Sequence, residues 1–378
     1  MPMISLGDIS PEEFLRDYWQ QKPLLIRGAF PNWEDPLEPD ELAGLACEEY
    51  IESRIITGKE HHGNWTLEHG PIDESRFNDI GDKDWTLLVQ AVDHIVPEVA
   101  ALRQAFRFIP DWRIDDVMVS FAATGGSVGP HYDQYDVFLI QGQGQRRWQT
   151  GQICDEQSAC LPHPDIRLLS NFTIEQEWVL EAGDMLYLPP GISHWGVAQS
   201  PCLTYSVGFR APSQSDLLSH FADEAILHSN DSKRYGDTGM AIQANPGEIT
   251  PLALGKTKAL LKELIDDEKL LADWFGRFMT EPKYPDPTDE LPTIEDLLTD
   301  LENGESWFVP GSARLAFSQL EQLTLFANGE SISSEHPVWS SFAQQLCLSH
   351  TITPEQISEA RSLQDVLTQL IQANCLLP

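Results

Sequence analysis

Between about residue 115 and residue 210 the sequence is a succession of short apolar runs cut apart by glycine and proline. Val117-Met118-Val119-Ser120-Phe121-Ala122 closes on Gly125-Gly126. Val137-Phe138-Leu139-Ile140-Gln141 turns at Gly142-Gln143-Gly144 into Arg146-Arg147-Trp148-Gln149. Then follow Glu177–Leu180, Met185–Leu188, Trp195–Ala198 and Leu203–Phe209. Runs of this length and spacing predict a β-sandwich or a barrel. Gly142-Gln143-Gly144 reads as a hairpin turn and not as a phosphate cradle, because neither a helix start nor a lysine follows it.

The same stretch carries the chemistry-bearing residues. In a strand, alternate side chains share a face, so His131-Tyr132-Asp133 presents an imidazole and a carboxylate together. His194 ends the run Gly183-Asp184-Met185-Leu186-Tyr187-Leu188-Pro189-Pro190-Gly191-Ile192-Ser193-His194, which reads as turn, strand, Pro-Gly turn, strand. A sheet carries it back beside the first pair. Two neutral nitrogens and one carboxylate, with positions left open, suit a non-haem Fe(II) centre. Arg146 and Arg147 are neighbours and face opposite sides, so the residues alone leave open which one points inward. Ser120 by itself is only a strand hydroxyl. Outward members of Gln134, Tyr135 and Asp136 are expected at the pocket mouth, where an acid or a ring suits a cationic side chain. His61-His62 and His163 read as exposed loop residues.

These segments, together with Asp17-Tyr18-Trp19-Gln20-Gln21-Lys22-Pro23-Leu24-Leu25-Ile26-Arg27-Gly28-Ala29, resemble the JmjC-type 2-oxoglutarate oxygenases. Within that group the whole length is similar to the bacterial ribosomal oxygenases that 3-hydroxylate arginine. The resemblance implies an α+β chain built on a double-stranded β-helix, the jelly roll of cupins. It implies Fe(II) held by His131, Asp133 and His194, with 2-oxoglutarate and O2 as cosubstrates. Arg146 is the member of its pair that the resemblance selects to anchor the distal carboxylate of 2-oxoglutarate, with Ser120 adding a hydroxyl. The implied reaction releases succinate and CO2 and hydroxylates an arginine of a large-subunit ribosomal protein. Related eukaryotic enzymes choose histidine, so a histidine or another residue of a basic protein is the alternative substrate. Two other readings compete: a cupin acting on a small molecule, which has no need of a carboxylate anchor, and a non-catalytic binding module, which has no need of all three ligands.

Outside this core the chain divides in an expected order: residues 1–212 as the oxygenase domain, 213–290 as a helical region and 291–378 as a small terminal domain. Ser10-Pro11-Glu12-Glu13-Phe14 is an N-capped helix start, Leu24-Leu25-Ile26 a short strand, and Asp84–Val92 has apolar residues at helical spacing. Leu254–Met279 reads as helical, and the proline-rich acidic run Pro282–Pro292 as a linker. The resemblance implies a dimerisation role for the helical region and a winged-helix-like fold for the terminal domain.

The net charge of −35 discriminates between partners. Such a surface repels phosphate backbones and steers basic ligands inward, so a basic ribosomal protein is expected and direct nucleic-acid binding is not. No run approaches the roughly 20 apolar residues of a membrane span, and no basic, apolar leader opens the sequence, so a cytoplasmic protein without membrane contact is expected. The six cysteines show no Cys-x-x-Cys pair and read as free thiols.

Overall fold

The computed structural model describes residues 4–59, 61, 63–284 and 291–378, which form two compact units, residues 1–211 and 212–378. The first unit holds eleven strands: β1 (Leu24–Ile26), β2 (Ser53–Thr57), β3 (Thr66–His69), β4 (Trp85–Val89), β5 (Ile114–Ala122), β6 (Val137–Gln141), β7 (Arg146–Ile153), β8 (Ile174–Leu180), β9 (Met185–Leu188), β10 (Ile192–Ala198) and β11 (Cys202–Phe209). A large antiparallel sheet runs β1-β9-β6-β11-β5-β4-β2-β3, and a small one runs β10-β7-β8.

Strands β6, β9 and β11 are buried at every residue, so both faces of the large sheet are covered. Alternation then sorts the side chains. On one face Val117, Val119, Phe138, Ile140, Tyr187, Leu203, Tyr205 and Val207 join Phe14 and Phe106 in the main core. On the other, Leu139, Leu186 and Leu188 meet Trp148 and Leu180 of the small sheet. The two sheets therefore face each other across an inner space, as in a jelly roll. The helix Pro11–Asp17 that supports the outer core starts as its sequence dictates: Ser10 and Glu13 cap each other and Pro11 opens the first turn.

Three sequence expectations are corrected. Asp84–Val92 is not helical; Trp85–Val89 is strand β4, buried on both faces. Periodicity cannot separate the two structures in a short, largely apolar segment that is buried throughout. Gly142-Gln143-Gly144 is not a hairpin turn, because β6 and β7 lie in different sheets. The turn at Pro189-Pro190-Gly191 likewise carries the chain from β9 in the large sheet to β10 in the small one. Leu254–Met279 is interrupted: the helices Pro251–Ile265 and Glu268–Thr280 are separate, and Asp267 caps the second by accepting from the backbone of Lys269 and Leu270.

In the second unit a helix Gln214–His228 precedes this pair. Phe221, Leu270 and Trp274 form their shared core. Helix Ile294–Asn303 and a three-stranded sheet, β13 (Leu315–Gln319), β14 (Leu323–Ala327) and β15 (Glu330–Ser333), then pack with helices Trp339–Ser349 and Gln364–Gln372. A two-stranded ladder, β12 (Trp307–Phe308) with β16 (Thr351–Ile352), closes it. The interior is Leu297, Leu301, Trp307, Leu325, Trp339, Phe342 and Leu367. Gly276 lets Glu268–Thr280 press on this sheet, since a Cβ there would lie 2.2 Å from the ring of Phe326. Most of the expected linker, residues 285–290, lies outside the described residues, as does the expected boundary at 290. Among the described residues, no helix is long and apolar enough to cross a membrane.

Candidate active site

His131 and His194 face each other as a hydrogen-bonded antiparallel pair: each backbone N–H donates to the other's carbonyl, at 3.0 and 2.8 Å. Side chains of such a pair rise on the same face, and the two imidazole centroids are 4.2 Å apart. Asp133 lies just beyond, outside any regular strand, held by a bond from the Gly191 N–H to its carbonyl at 2.8 Å. Its carboxylate stands 3.6 Å from His194 Nε2. One ligand atom from each of His131, Asp133 and His194 falls within 4.8 Å of the others. The expected strand alternation thus gives the right face, although the strand itself has ended.

Each histidine is oriented by its own backbone. His131 Nδ1 lies 2.9 Å from the carbonyl of Gly129, and His194 Nδ1 lies 3.0 Å from that of Ile192. A carbonyl only accepts, so both Nδ1 atoms carry the proton and both Nε2 atoms keep a free lone pair. His194 is buried; desolvation, helped by the nearby His131, lowers its pKa to about 4. The imidazole is therefore neutral at neutral pH, the form a metal requires. Tyr132, between the two ligands, points away and donates to the carbonyl of Asp155 at 2.6 Å.

The second half of the site is a buried cation. Arg146 is 2% exposed, and its Nε and Nη1 have no hydrogen-bond partner among the described residues. Nη2 makes one long bond, 3.4 Å, to the carbonyl of Gly196, and the guanidinium stacks 4.9 Å over Trp148. Desolvation lowers its pKa, and the neighbouring Cys202 opposes that shift. Gly196 is required here: a Cβ would lie 2.6 Å from Arg146 Nε. Arg147 faces the other way, over a third exposed, 3.9 Å from Glu177. Ser120, 5% exposed on β5, pairs in register with Thr204 of β11, which pairs with Gln141 of β6. All three occupy the inner face. Among the described residues Thr204 Oγ1 and Gln141 Oε1 are also buried without partners. A buried guanidinium costs several kcal/mol unless an anion meets it. Arg146 Nε and Nη1 and the Thr204 hydroxyl are therefore donors left for a carboxylate, on the inner side that His194 also lines; Gln141 Oε1, which only accepts, cannot meet one.

On the same face of β5 as Ser120, sequence reading missed Asp116. It is 3% exposed and accepts from Gln90 Nε2 at 2.8 Å. Its Oδ1 and the Tyr135 ring both come within about 4 Å of the point a Cβ on Gly208 would occupy. Tyr135 is 43% exposed, and its phenol pKa is raised, first by Asp133 and then by burial and Asp116. The signal was available: Asp116 lies on the same alternate positions of β5 as Ser120. Asp136, expected at the mouth, is instead fully buried. It receives Tyr187 Oη at 2.6 Å, Gln20 Nε2 at 3.0 Å and Arg113 Nη2 at 3.5 Å, and so ties the N-terminal segment to β9. His61 and His163 are not exposed loop residues either. His61 bonds the carbonyl of Leu169 and packs on Trp195, while His163 Nδ1 accepts from two backbone N–H groups, of Asp165 and Ile166. His62 lies outside the described residues.

Comparison with known proteins agrees with this geometry. A JmjC domain model matches residues 101–217, and a ROXA-like winged helix model matches residues 263–376. The ribosomal protein uL16 3-hydroxylase of Escherichia coli is 38% identical over 343 residues, 89% of this chain and 89% of that protein. A probable ribosomal oxygenase of Haemophilus influenzae is 43% identical over 211 residues, 56% of this chain and 52% of its own. Among solved structures, the E. coli ribosomal oxygenase YcfD in complex with cobalt and 2-oxoglutarate superposes with a TM-score of 0.86 at 33% identity, covering 100% of this chain and 99% of that one. With its cupin-like inner sheet pair and winged-helix terminal domain, the chain belongs to the JmjC ribosomal oxygenases, the family of 2-oxoglutarate-dependent dioxygenases represented by the E. coli uL16 3-hydroxylase.

Proposed function

We propose that this protein hydroxylates an arginine side chain of a large-subunit ribosomal protein, using Fe(II), 2-oxoglutarate and O2. The observation that carries this reading is the buried Arg146 guanidinium, with Nε and Nη1 unpartnered among the described residues, near the His131-Asp133-His194 cluster. His131, Asp133 and His194 would hold the iron, and Arg146 with Ser120 would take the distal carboxylate. When bound, iron would let O2 serve as the oxidant, one oxygen atom going to 2-oxoglutarate with release of succinate and CO2 and the other to an unactivated C–H bond. The chain's own residues fix where that bond must lie. Nδ1–H bonds hold both imidazoles, the Arg146 fork sets the depth of the cosubstrate, and Tyr135 and Asp116 flank the approach. A ring and a buried carboxylate suit a flat guanidinium, through stacking and a charge-assisted hydrogen bond.

The relative that hydroxylates uL16 and the cobalt and 2-oxoglutarate complex of YcfD support the assignment. Incubation with Fe(II), 2-oxoglutarate and isolated ribosomal proteins is expected to add one oxygen atom to an arginine-containing peptide of uL16. Asp116→Asn should raise the KM for that peptide about tenfold or more, from loss of a charge-assisted bond, and leave uncoupled 2-oxoglutarate turnover intact. Oxygen gained on a histidine would select the alternative substrate. No gain on any ribosomal protein would reject the reading.

We propose further that the enzyme works in the cytoplasm as a homodimer. All six cysteines are free thiols, which suits a reducing compartment. Helices Gln214–His228 and Pro251–Ile265 leave Leu218, Leu227, Leu252, Leu254 and Leu261 between 59 and 79% exposed, more apolar surface than an isolated helical layer leaves bare. Leu264 and Trp274, by contrast, pack within their own unit. A monomer in sedimentation at micromolar concentration would refute the dimer.

A further inference from the structure

The two backbone bridges that bring the ligand-bearing segments together do not match in length. Ser127 pairs with Val197 and His131 with His194. Three residues separate the bridges on one segment and two on the other, so the longer segment must bulge. Gly129, at φ +79°, takes up the bulge in the left-handed region. A bulge breaks the ladder and leaves nearby backbone groups seeking partners.

One side chain meets that need. The Ser127 hydroxyl, 1% exposed, donates to the carbonyl of Gly196 at 2.7 Å. It accepts from the Gly129 N–H at 3.0 Å and from Trp195 Nε1 at 2.9 Å. A hydroxyl has one hydrogen and two lone pairs, so its capacity is filled. Every partner bears on the site. The Gly129 carbonyl orients His131 through Nδ1. Trp195 and Gly196 directly follow His194 on β10. The Gly196 carbonyl also accepts from the Arg146 guanidinium, at 3.4 Å. Trp195 is in turn steadied by the rings of His61 and Phe172, with centroids 5.7 and 6.0 Å away.

We propose that Ser127, braced by Trp195, is the positioning residue that sets the spacing of the His131 and His194 imidazoles for the metal. The proposal rests on the metal-site reading above. Removing the hydroxyl frees the bulge, and the two Nε2 atoms lose their fixed separation while the main core, on the opposite face of the large sheet, is untouched. The effect is therefore on the metal and not on the fold.

The test is a Co(II) titration of the metal-free protein, followed by visible absorption, beside thermal unfolding of the metal-free forms. Ser127→Ala should weaken Co(II) binding about 10- to 100-fold, the usual cost of losing a bond that orients a metal ligand. It should also alter the Co(II) absorption bands, a signature of changed ligand geometry that a purely structural role would not produce. Trp195→Phe keeps an aromatic ring against His61 and Phe172 and removes the Nε1–H, so a loss of about threefold is expected, that of one hydrogen bond. Wild-type affinity and spectrum in Ser127→Ala would overturn the role of Ser127. Should that variant not fold, Trp195→Phe decides, and its unchanged affinity and spectrum would overturn the proposal. Failure of the wild-type protein to bind Co(II) would overturn the metal site itself, and this proposal with it.

Discussion

His131→Ala and Asp133→Ala proteins are expected to fold and to show no 2-oxoglutarate turnover. A bond that merely orients a metal ligand is worth about 10- to 100-fold in affinity or activity, and losing one of three ligands must cost more. The metal-free fold should not suffer. Two imidazoles 4.2 Å apart and a carboxylate 3.6 Å from one of them crowd lone pairs and charge without mutual compensation. His131 and Asp133 are only half-buried, outside regular strands, so neither substitution opens a core cavity. Thermal unfolding of the metal-free variants should stay within about 1 kcal/mol of wild type, as for sites away from the core. Turnover assayed as succinate release checks the other half. Full turnover by both variants would remove the triad from the mechanism, and loss of folding would show that these residues serve stability instead.

Much of this site was legible because a metal centre imposes residue types as well as spacing. His131, Asp133 and His194 group together from the sequence alone, and so does an arginine on the following strand. The choice between Arg146 and Arg147 could not be made from their order, since adjacent strand residues are equivalent until one face is known to be enclosed. The β7 register settles it: Arg146 pairs with Ala198 and Leu180 on the inner side, while Arg147 meets Glu177 at the surface. Sheet membership was likewise hidden. Strands buried on both faces carry no alternation to reveal their partners, so turns such as Gly142-Gln143-Gly144 looked like hairpins when they are crossings between sheets. Asp136 misled for a related reason. Position next to a ligand suggested the mouth, but its neighbours Tyr187 and Gln20 lie far off in sequence, and only the fold brings them together. Ser127 was silent because its importance lies in a mismatch between two bridges, which no local pattern records.

Replacing Arg146 with methionine is expected to stabilise the ligand-free protein and abolish its response to 2-oxoglutarate. Arg146 is fully enclosed with two orphaned nitrogens, so in the absence of an anion its charge is desolvated with little in return. Exchanging buried charge for an apolar side chain of similar length stabilises by about 1–4 kcal/mol in comparable cases. The contacts surrendered are modest: a 3.4 Å bond to the Gly196 carbonyl, stacking on Trp148 and a bond with Cys202, and methionine keeps the packing on the ring. The gain should therefore outweigh the loss. With 2-oxoglutarate present that advantage is offset. Wild-type protein should gain stability as the ligand binds the native state, by about 2.7 kcal/mol at a hundred times Kd, while Arg146→Met gains none. Arg147→Ala is the control, because a half-exposed pair 3.9 Å from Glu177 is worth no more than about 1 kcal/mol, and its response to 2-oxoglutarate should match wild type. Thermal unfolding of the three metal-loaded proteins, with and without 2-oxoglutarate, measures both effects. An Arg146→Met protein less stable than wild type and still protected by 2-oxoglutarate would mean that the guanidinium is a structural post and that the carboxylate docks elsewhere.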